Sequence, residues 1–303
     1  MDRIDNFRAL TREMTRALGV LGGDMMGTGL SLSELRVLYE VGLVPWTSRA
    51  LAEDLGLDES YVSRIVTRLQ RGGLCSRAID AQDRRRRVLT LTPKGSALVA
   101  QMVVAMRAQA AEYVGTVPAM NEAVTDEALG RLRHHLAPKT IAHIPVTYRD
   151  LGSGDAGWIA MRFGELYRHE FGVDHTFEAI VLDAMSEYLH SHDPVRDRVW
   201  IAERAGLRLG SIILMHTEDP STAKLRLFFL DPLARGQGIG SALMDHCLGF
   251  ARMAGYAHVT LWTQGQLSAA IRHYQKAGFR QVASDRAPAF GKSYDNQTWE
   301  LTL

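Results

Sequence analysis

The segment LDPLARGQGIGSAL, residues 230–243, constrains the fold more than any other part of the sequence. Glycine stands at three alternate positions, Gly236, Gly238 and Gly240, between an apolar run typical of a strand and an apolar run with helical spacing. Such a turn presents backbone N–H groups at a helix N-terminus, where they bind phosphate. The dinucleotide pattern G-x-G-x-x-G fails because Ser241 stands at its last position, and the nucleotide-triphosphate loop would need a Lys that is absent. The sequence therefore predicts an anion-binding strand–turn–helix unit of another type.

Length and composition leave room for two domains. The chain has 303 residues, of which 46% are hydrophobic, and its net charge is +1. Two cysteines, Cys75 and Cys247, are too few for a disulfide framework or a four-ligand zinc site, so we expect no metal. The first residues are charged throughout, and no apolar stretch is long enough to cross a membrane. We therefore expect a cytoplasmic protein that does not associate with membranes.

Hydrophobic periodicity divides the chain in two. Residues 1–138 are predicted to be mostly helical, with one hairpin whose strands flank the charged segment AQDRRR. Pro138 and Pro145 mark a linker. Over residues 145–303 strand patterns alternate with helical ones, which predicts an α+β domain with one mixed sheet. The expected fold class is thus multidomain, with an α-rich domain followed by an α+β domain.

Positive charge is concentrated in the first half. Between Asp58 and Lys94, nine Lys and Arg residues stand against four Asp and Glu residues, although the whole chain is nearly neutral. The predicted helix after Asp58 offers polar side chains to a DNA major groove, namely Ser60, Tyr61, Ser63, Arg64 and Arg68. At the hairpin tip, Arg84 and Arg85 would reach the neighbouring minor groove, where the negative potential favours arginine. For the arginine run alone, a solvated charged hairpin is the alternative.

Residues 31–95 resemble the winged helix of MarR-family transcription regulators. The wing pattern D-x-x-D-R-R and the exit pattern L-T-x-x-G are carried here by Asp80, Asp83, Arg84, Arg85, Leu91, Thr92 and Gly95. The resemblance implies a homodimer, formed by the first and last helices of this half, that binds a pseudo-palindromic operator in double-stranded DNA. It also implies that Arg85 is the minor-groove arginine.

The glycine turn and a second motif resemble the GNAT acetyltransferases. The family pattern [RQ]-x-x-G-x-[GA] matches residues 235–240, and the later signature, a Tyr before G-F, reads HYQKAGF with Tyr274, Gly278 and Phe279. The resemblance implies acetyl-CoA as the cofactor, held by Phe228, Leu230, Arg235, Gly236, Gln237, Gly238, Ile239, Gly240 and Ser241. The amides at the helix N-terminus would bind the pyrophosphate. The Leu230 amide would stabilise the oxyanion, and Tyr274 would protonate the leaving thiolate.

The general base and the amine site stay open at the sequence level. The strand KLRLFFL lacks the glutamate that many family members use as base, which leaves His216, Glu218, Asp219 or a water relay. Lys224 and Arg226 share one face of that strand and would hold a substrate carboxylate, with a solvated face or salt bridges as the alternative.

We expect a bifunctional chain, a transcription regulator that is also an acetyl-CoA-dependent N-acetyltransferase acting on a small-molecule primary amine. The alternative is a MarR-type regulator whose GNAT domain senses acyl-CoA or another ligand without catalysis. The missing strand carboxylate favours this alternative, whereas Tyr274 favours the enzyme. For Cys75, a buried thiol and a redox switch are the two alternatives.

Overall fold

A computed structural model describes residues 2–17, 27–79, 87–289 and 292–303. Its contacts form two compact units, Met1–Pro118 and Ala119–Leu303. Among the residues so described, no helix combines the length and hydropathy needed to span a bilayer. The same residues contain no group of three or more His, Cys, Asp or Glu side chains suited to a metal ion.

The first unit is helical apart from one hairpin. Its elements are α1 (Arg3–Ala17), α2 (Leu32–Leu43), α3 (Ser48–Leu55), α4 (Glu59–Arg71), β1 (Cys75–Ile79), β2 (Arg87–Leu91) and α5 (Pro93–Val114). Local signals fix several of these bounds. Ser31 forms a capping box with Glu34 at the start of α2, and Thr92 caps α5 ahead of Pro93.

The predicted helix-turn-helix is formed by α3 and α4. Gly56 ends α3 with a φ of 62°, a conformation that glycine adopts without steric cost. Asp58 then caps α4, accepting a hydrogen bond from the Tyr61 amide at 2.9 Å. The inner face of α4 packs into the core of the unit through Val62, Ile65, Val66 and Leu69. The polar residues of α4 are therefore left on its outer face, as the sequence predicted.

The second unit begins with α6 (Glu122–Leu136). It continues with α7 (Pro138–Ala142), β3 (Thr147–Arg149), α8 (Asp155–Phe171), α9 (Phe177–Ser191), β4 (Arg198–Arg204), β5 (Leu207–His216), β6 (Thr222–Leu230), α10 (Ile239–Met253), β7 (His258–Gln264), α11 (Ser268–Ala277), β8 (Arg280–Ala289) and β9 (Lys292–Thr302). The strand order is β3-β4-β5-β6-β7-β9-β8, parallel between β6 and β7 and antiparallel elsewhere. The predicted mixed sheet is therefore confirmed.

The centre of this sheet opens between β6 and β7. Their pairing runs from Thr222 against His258 to Leu225 against Leu261, after which the two strands diverge. At the same level β6 bulges, with Leu227 at a φ of 45° and a register shift against β5. The Ser211 hydroxyl donates to the Leu227 carbonyl at 3.1 Å and holds the bulge in place. The result is a cleft in the middle of the sheet.

The helix α6 packs with the second unit, so the division falls at residue 118 rather than at the boundary of 138 that the sequence indicated. The physical reason is a buried ion-pair cluster. Glu127 accepts from Arg208 and Arg131 at 2.8 Å each and from the Trp158 indole at 3.1 Å. Gly130 lets the helix approach β5 closely, because a β-carbon there would lie 2.8 Å from the side chain of Leu207.

One further detail differs from the sequence-based expectations, because the proline-marked linker contains the short helix α7. The last two strands, β8 with ten residues and β9 with eleven, pair with each other and close one edge of the sheet.

Candidate functional site

The cleft between β6 and β7 leads into a cavity of about 670 Å³. The glycine turn and α10 border it on one side, and α11 borders it on the other. Of the predicted coenzyme A residues, those that line it are Phe228, Leu230, Arg235, Gly236 and Ser241. The remaining four residues of the predicted set do not line this cavity, namely Gln237, Gly238, Ile239 and Gly240.

Those four residues shape the turn. Gly238 caps α10 with a φ of 78°, and Ile239 is buried in the core. The Gln237 side chain accepts from Arg204 at 2.7 Å and donates to the Leu233 carbonyl at 2.6 Å. Gly240 packs closely, because a β-carbon would lie 2.9 Å from Leu230 and 3.0 Å from His273.

The N-terminus of α10 carries the free backbone donors that an anion needs. The first helical bond runs from the Ala242 amide to the Gly238 carbonyl at 3.1 Å, which leaves the amides of residues 239–241 without helical acceptors. A β-carbon at Gly236 or Gly238 would meet no atom within 4 Å, so the space in front of the turn is open. Both glycines have positive φ, so the turn requires them for conformation. These features fit a pyrophosphate.

The Leu230 amide points away from β5. The neighbouring Asp231 amide donates to the Leu209 carbonyl at 2.8 Å, and successive amides of an antiparallel strand alternate in direction. The Leu230 amide is therefore directed to the side from which β7 has diverged. A backbone donor in that position faces the cleft, where the sequence resemblance places the thioester carbonyl.

Tyr274 lies on α11 beside the same cleft. Its side chain is buried and hydrogen-bonded to Thr263, and its ring lies 6.1 Å from that of Phe228. Burial raises the pKa of Tyr274 well above its ordinary value, so the hydroxyl keeps its proton at neutral pH. Tyr274 is thus present as the protonated phenol, whose hydroxyl can donate a hydrogen bond.

A second cavity of about 300 Å³ adjoins the first. Tyr167, Phe228, Leu267 and Ala270 line both of them, and Tyr274 lines the second. Lys224 and Arg226 of β6 line the second cavity, and the Arg226 guanidinium forms an ion pair with Glu187 of α9. The two predicted cations are thus brought together, but only Arg226 has an acidic partner among the described residues.

The candidate bases from the sequence lie away from both cavities. His216 pairs with the buried Asp197 at 2.8 Å, at the far end of β5. Hydrogen bonds from Thr222 and Ser221 lower the pKa of Asp219, which closes the turn before β6. Within the described part of the chain, the 300 Å³ cavity has no acidic residue in its lining.

In the first unit, α4 presents the predicted DNA-contacting side chains on its solvent face. Arg64 is exposed and its guanidinium lies 5.8 Å from the centre of the Tyr61 ring. The Ser60 hydroxyl donates to Asp58 beside it. Arg68 pairs with the buried Glu34 at 3.0 Å, so it is partly engaged within the fold. Ser63 is half-buried at the same face.

The predicted tip of the wing lies outside the described residues, with Arg84, Arg85, Asp80 and Asp83. The strands that lead to them are present, with Ile79 paired to Arg87 at the open end of the hairpin. At its base, Cys75 is buried and burial raises the pKa of its thiol, which disfavours the reactive thiolate of a redox switch.

Comparison with protein families finds two domains. A model described as the MarR family matches residues 28–86, and one described as the acetyltransferase (GNAT) domain matches residues 195–281. The chain joins a MarR domain to a GNAT acetyltransferase domain. The second match contains the cleft, the glycine turn and Tyr274.

Relatives and solved structures cover only part of the chain. N-acetyltransferase family 8 member 2 of Rattus norvegicus is 34% identical over 35% of this chain and 46% of its own length. N-acetylaspartate synthetase of Danio rerio is 34% identical over 29% of this chain and 32% of its own length. The chain thus spans less than half the length of these curated relatives. A ribosomal-protein-alanine N-acetyltransferase from Brucella melitensis superimposes with a TM-score of 0.43 at 18% identity, over 52% of this chain and 99% of its own.

Two residues at this cleft were not found by sequence reasoning. Tyr167 of α8 lines both cavities and stacks on Phe177 with ring centres 4.4 Å apart. His273 lines the larger cavity, and burial lowers its pKa. In the sequence, only its position next to Tyr274 points to a role for His273 at the site. Tyr167 is one apolar residue of a helical pattern, which predicts burial and nothing more specific.

Proposed function

We propose that the chain is a DNA-binding regulator that also transfers an acetyl group from acetyl-CoA to a primary amine. The observation that carries the enzymatic half is that two donors lie at the adjoining cavities of one cleft. The Leu230 amide faces the 670 Å³ cavity from β6, and Tyr274 of α11 lines the 300 Å³ cavity. A pure binding pocket has no need of both.

The chain's own groups account for the reaction as follows. Acetyl-CoA supplies the acetyl group, whose carbonyl carbon forms a bond to the amine nitrogen while its bond to sulfur breaks. The Leu230 amide donates to the carbonyl oxygen as negative charge develops there. Tyr274 donates its proton to the departing sulfur and regains one from solvent. The amine attacks through its neutral form, and its nitrogen releases a proton to water as the new bond forms.

The larger cavity and the turn suit the rest of the cofactor. Amides of residues 239–241 would hold the pyrophosphate, and the edge of β6 at Phe228 and Leu230 would pair with the pantetheine arm. Arg235 donates to Glu170 of α8 at 2.7 Å, which fixes the turn against α8, and its other N–H groups remain for a phosphate at the cavity that it lines.

For the regulatory half, we propose that α4 enters the major groove of double-stranded DNA with Ser60, Tyr61, Ser63 and Arg64, and that Arg85 of the wing reaches the minor groove. A homodimer would place two copies of α4 on a pseudo-palindrome. The apolar residues that α1 leaves exposed, Phe7 and Leu10 among them, support such an assembly.

A second candidate, a GNAT domain that only senses an acyl-CoA, is favoured by the absence of an acidic base from the described lining. The full-length protein separates the two. We expect thiol release from acetyl-CoA that depends on an added amine, together with salt-sensitive binding to DNA selected from a random library. Tight binding of acetyl-CoA without thiol release for any amine would favour the sensor. Absence of DNA binding would remove the regulatory half alone.

A further inference from the structure

The 300 Å³ cavity has a chemical character that narrows the amine. We propose that its substrate is a small primary amine carrying both a carboxylate and an apolar, aromatic-sized body. This inference rests on the proposed acetyl transfer and names the substrate class of that same site. Three independent features of the cavity support it: its charge, a buried donor without an acceptor, and its apolar walls.

The charge balance favours one anion. Lys224 and Arg226 lie on the same face of β6, and Arg226 is compensated by Glu187. Within the described residues, the Lys224 ammonium has neither an ion pair nor a hydrogen bond, although it is only half exposed. Two cations against one anion leave a single positive charge at the wall, which one carboxylate would neutralise.

A buried amide supplies a second donor. Gln264 is 1% exposed, and its Oε1 accepts from Gln266 while its Nε2 has no hydrogen-bond partner. A buried amide nitrogen without an acceptor is costly. Asn296 stands directly opposite on β9 with an unpartnered Oδ1, so the two amides do not satisfy each other.

Gln264 lies on the same side of the sheet as the cations. Lys224 pairs with Thr260 across the parallel β6–β7 ladder, and side chains of alternate residues share a face. Thr260, Trp262 and Gln264 therefore lie on the face that carries Lys224. Gln264 stands four residues beyond Thr260, about 13 Å along β7, so its Nε2 offers the ligand a second polar contact at the other end of the cavity.

The other walls are apolar and aromatic. Helices α8 and α9 contribute Phe163, Tyr167, Phe177 and Ile180, and Trp262 of β7 faces them. The volume is at the small end of the range for ligand pockets. An aromatic or branched aliphatic group would fill the space between such walls, whereas a small polar amine would leave them in contact with water.

The test compares matched amines on the full-length protein. Phenylalanine, phenylalaninamide and phenethylamine share a ring and a primary amine, and only the first carries a carboxylate. We expect kcat/KM for phenylalanine to exceed that for phenethylamine at least about tenfold. Lys224→Met should bring this ratio close to one, mainly through KM for phenylalanine. Arg280→Met, on the exposed side of β8, is the charge-loss control and should leave the ratio unchanged.

A kcat/KM for phenethylamine equal to that for phenylalanine, or a ratio untouched by Lys224→Met, overturns the substrate class and leaves acetyl transfer standing. If no amine releases thiol, calorimetry on the protein saturated with coenzyme A decides. Binding of phenylalanine that Lys224→Met weakens at least about tenfold would keep the carboxylate site and overturn the transfer reaction. Absence of that binding would overturn the carboxylate site as well.

Discussion

The proposed acid catalysis depends on a single group, the hydroxyl of Tyr274. Tyr274→Phe keeps the buried ring and removes only the proton donor, so kcat should fall by about 10²–10⁴-fold with acetyl-CoA affinity nearly unchanged. Steady-state thiol release and calorimetry measure the two effects. Tyr256→Phe is the matched control, because the Tyr256 side chain is also buried but lies away from the cleft. Its hydroxyl donates to the Arg196 carbonyl at a distance of 3.0 Å. A Tyr274→Phe rate within about twofold of wild type would leave the hydroxyl a packing role only.

Arg64 is the corresponding residue on the DNA side. It is exposed on α4 and has no acidic partner among the described residues, in contrast to Arg68 with its buried Glu34. We expect Arg64→Ala to weaken operator binding by about 1–3 kcal/mol and, if the contact is to a phosphate, to lower the salt slope by about one. Binding titrations at several salt concentrations measure both, with Arg12→Ala on α1 as control. Equal loss of affinity in the control would show a general charge effect instead of a contact by α4.

At the scale of elements, α6 is the part whose role the structure changes most. Its Glu127 and Arg131 belong to a cluster that continues to the buried Asp231, which receives Arg131 at 3.1 Å and Arg162 at 2.8 Å. Asp231 immediately precedes the short Pro232–Ala234 turn and caps it, so α6 supports the segment that leads into the glycine turn. Removing one member of a buried charge cluster leaves its partners uncompensated.

This cluster predicts how fragments of the chain behave. A fragment of residues 119–303 should fold, whereas one of residues 145–303 lacks Glu127 and Arg131 and should be unstable or unfolded. In the full chain, Glu127→Ala should cost the second unit about 3 kcal/mol or more. Glu122→Ala, at the exposed first turn of the same helix, is the control. Thermal unfolding gives the comparison, and equal melting of the two fragments would refute the role of α6.

Sequence periodicity predicted α6 as a helix but not the unit to which it belongs. Local signals were sufficient for α5, where Thr92 and Pro93 fix the start, and for the glycine turn, whose residues act through their own backbone. The partners of Glu127 lie at Trp158 and Arg208, distant in sequence, and no local pattern reports such pairs. For the same reason only part of the 300 Å³ cavity was predicted. Lys224 and Arg226 are recognisable because they alternate with apolar residues along one strand, whereas the residues of α9 that line the same cavity reach it only through tertiary packing.

At the scale of the whole molecule, the proposed homodimer requires an apolar surface in the first unit. The helix α1 has no buried residue, and its spacing places Ile4, Phe7, Leu10 and Met14 on one stripe, 71%, 43%, 39% and 50% exposed. Tyr113 and Gln109 of α5 donate to the Ala17 carbonyl at 3.0 and 3.1 Å, so the end of α1 is attached to α5. α5 carries further exposed apolar residues, Val104 among them. Since α6 packs on β5, we assign the interface to α1 and α5.

The assignment predicts the effect of one charge on that stripe. Phe7→Glu places a carboxylate in the centre of the proposed interface, where it would be desolvated without a partner, so the protein should sediment as a monomer at concentrations where wild type is a dimer. Operator affinity should fall with it, because two half-sites are then bound separately. Arg12→Glu adds negative charge to the opposite side of α1 and should leave the dimer intact. Acetyl transfer, measured in the same samples, should persist in both variants if each second unit holds a complete site. A Phe7→Glu protein that still sediments as a dimer would move the interface away from α1.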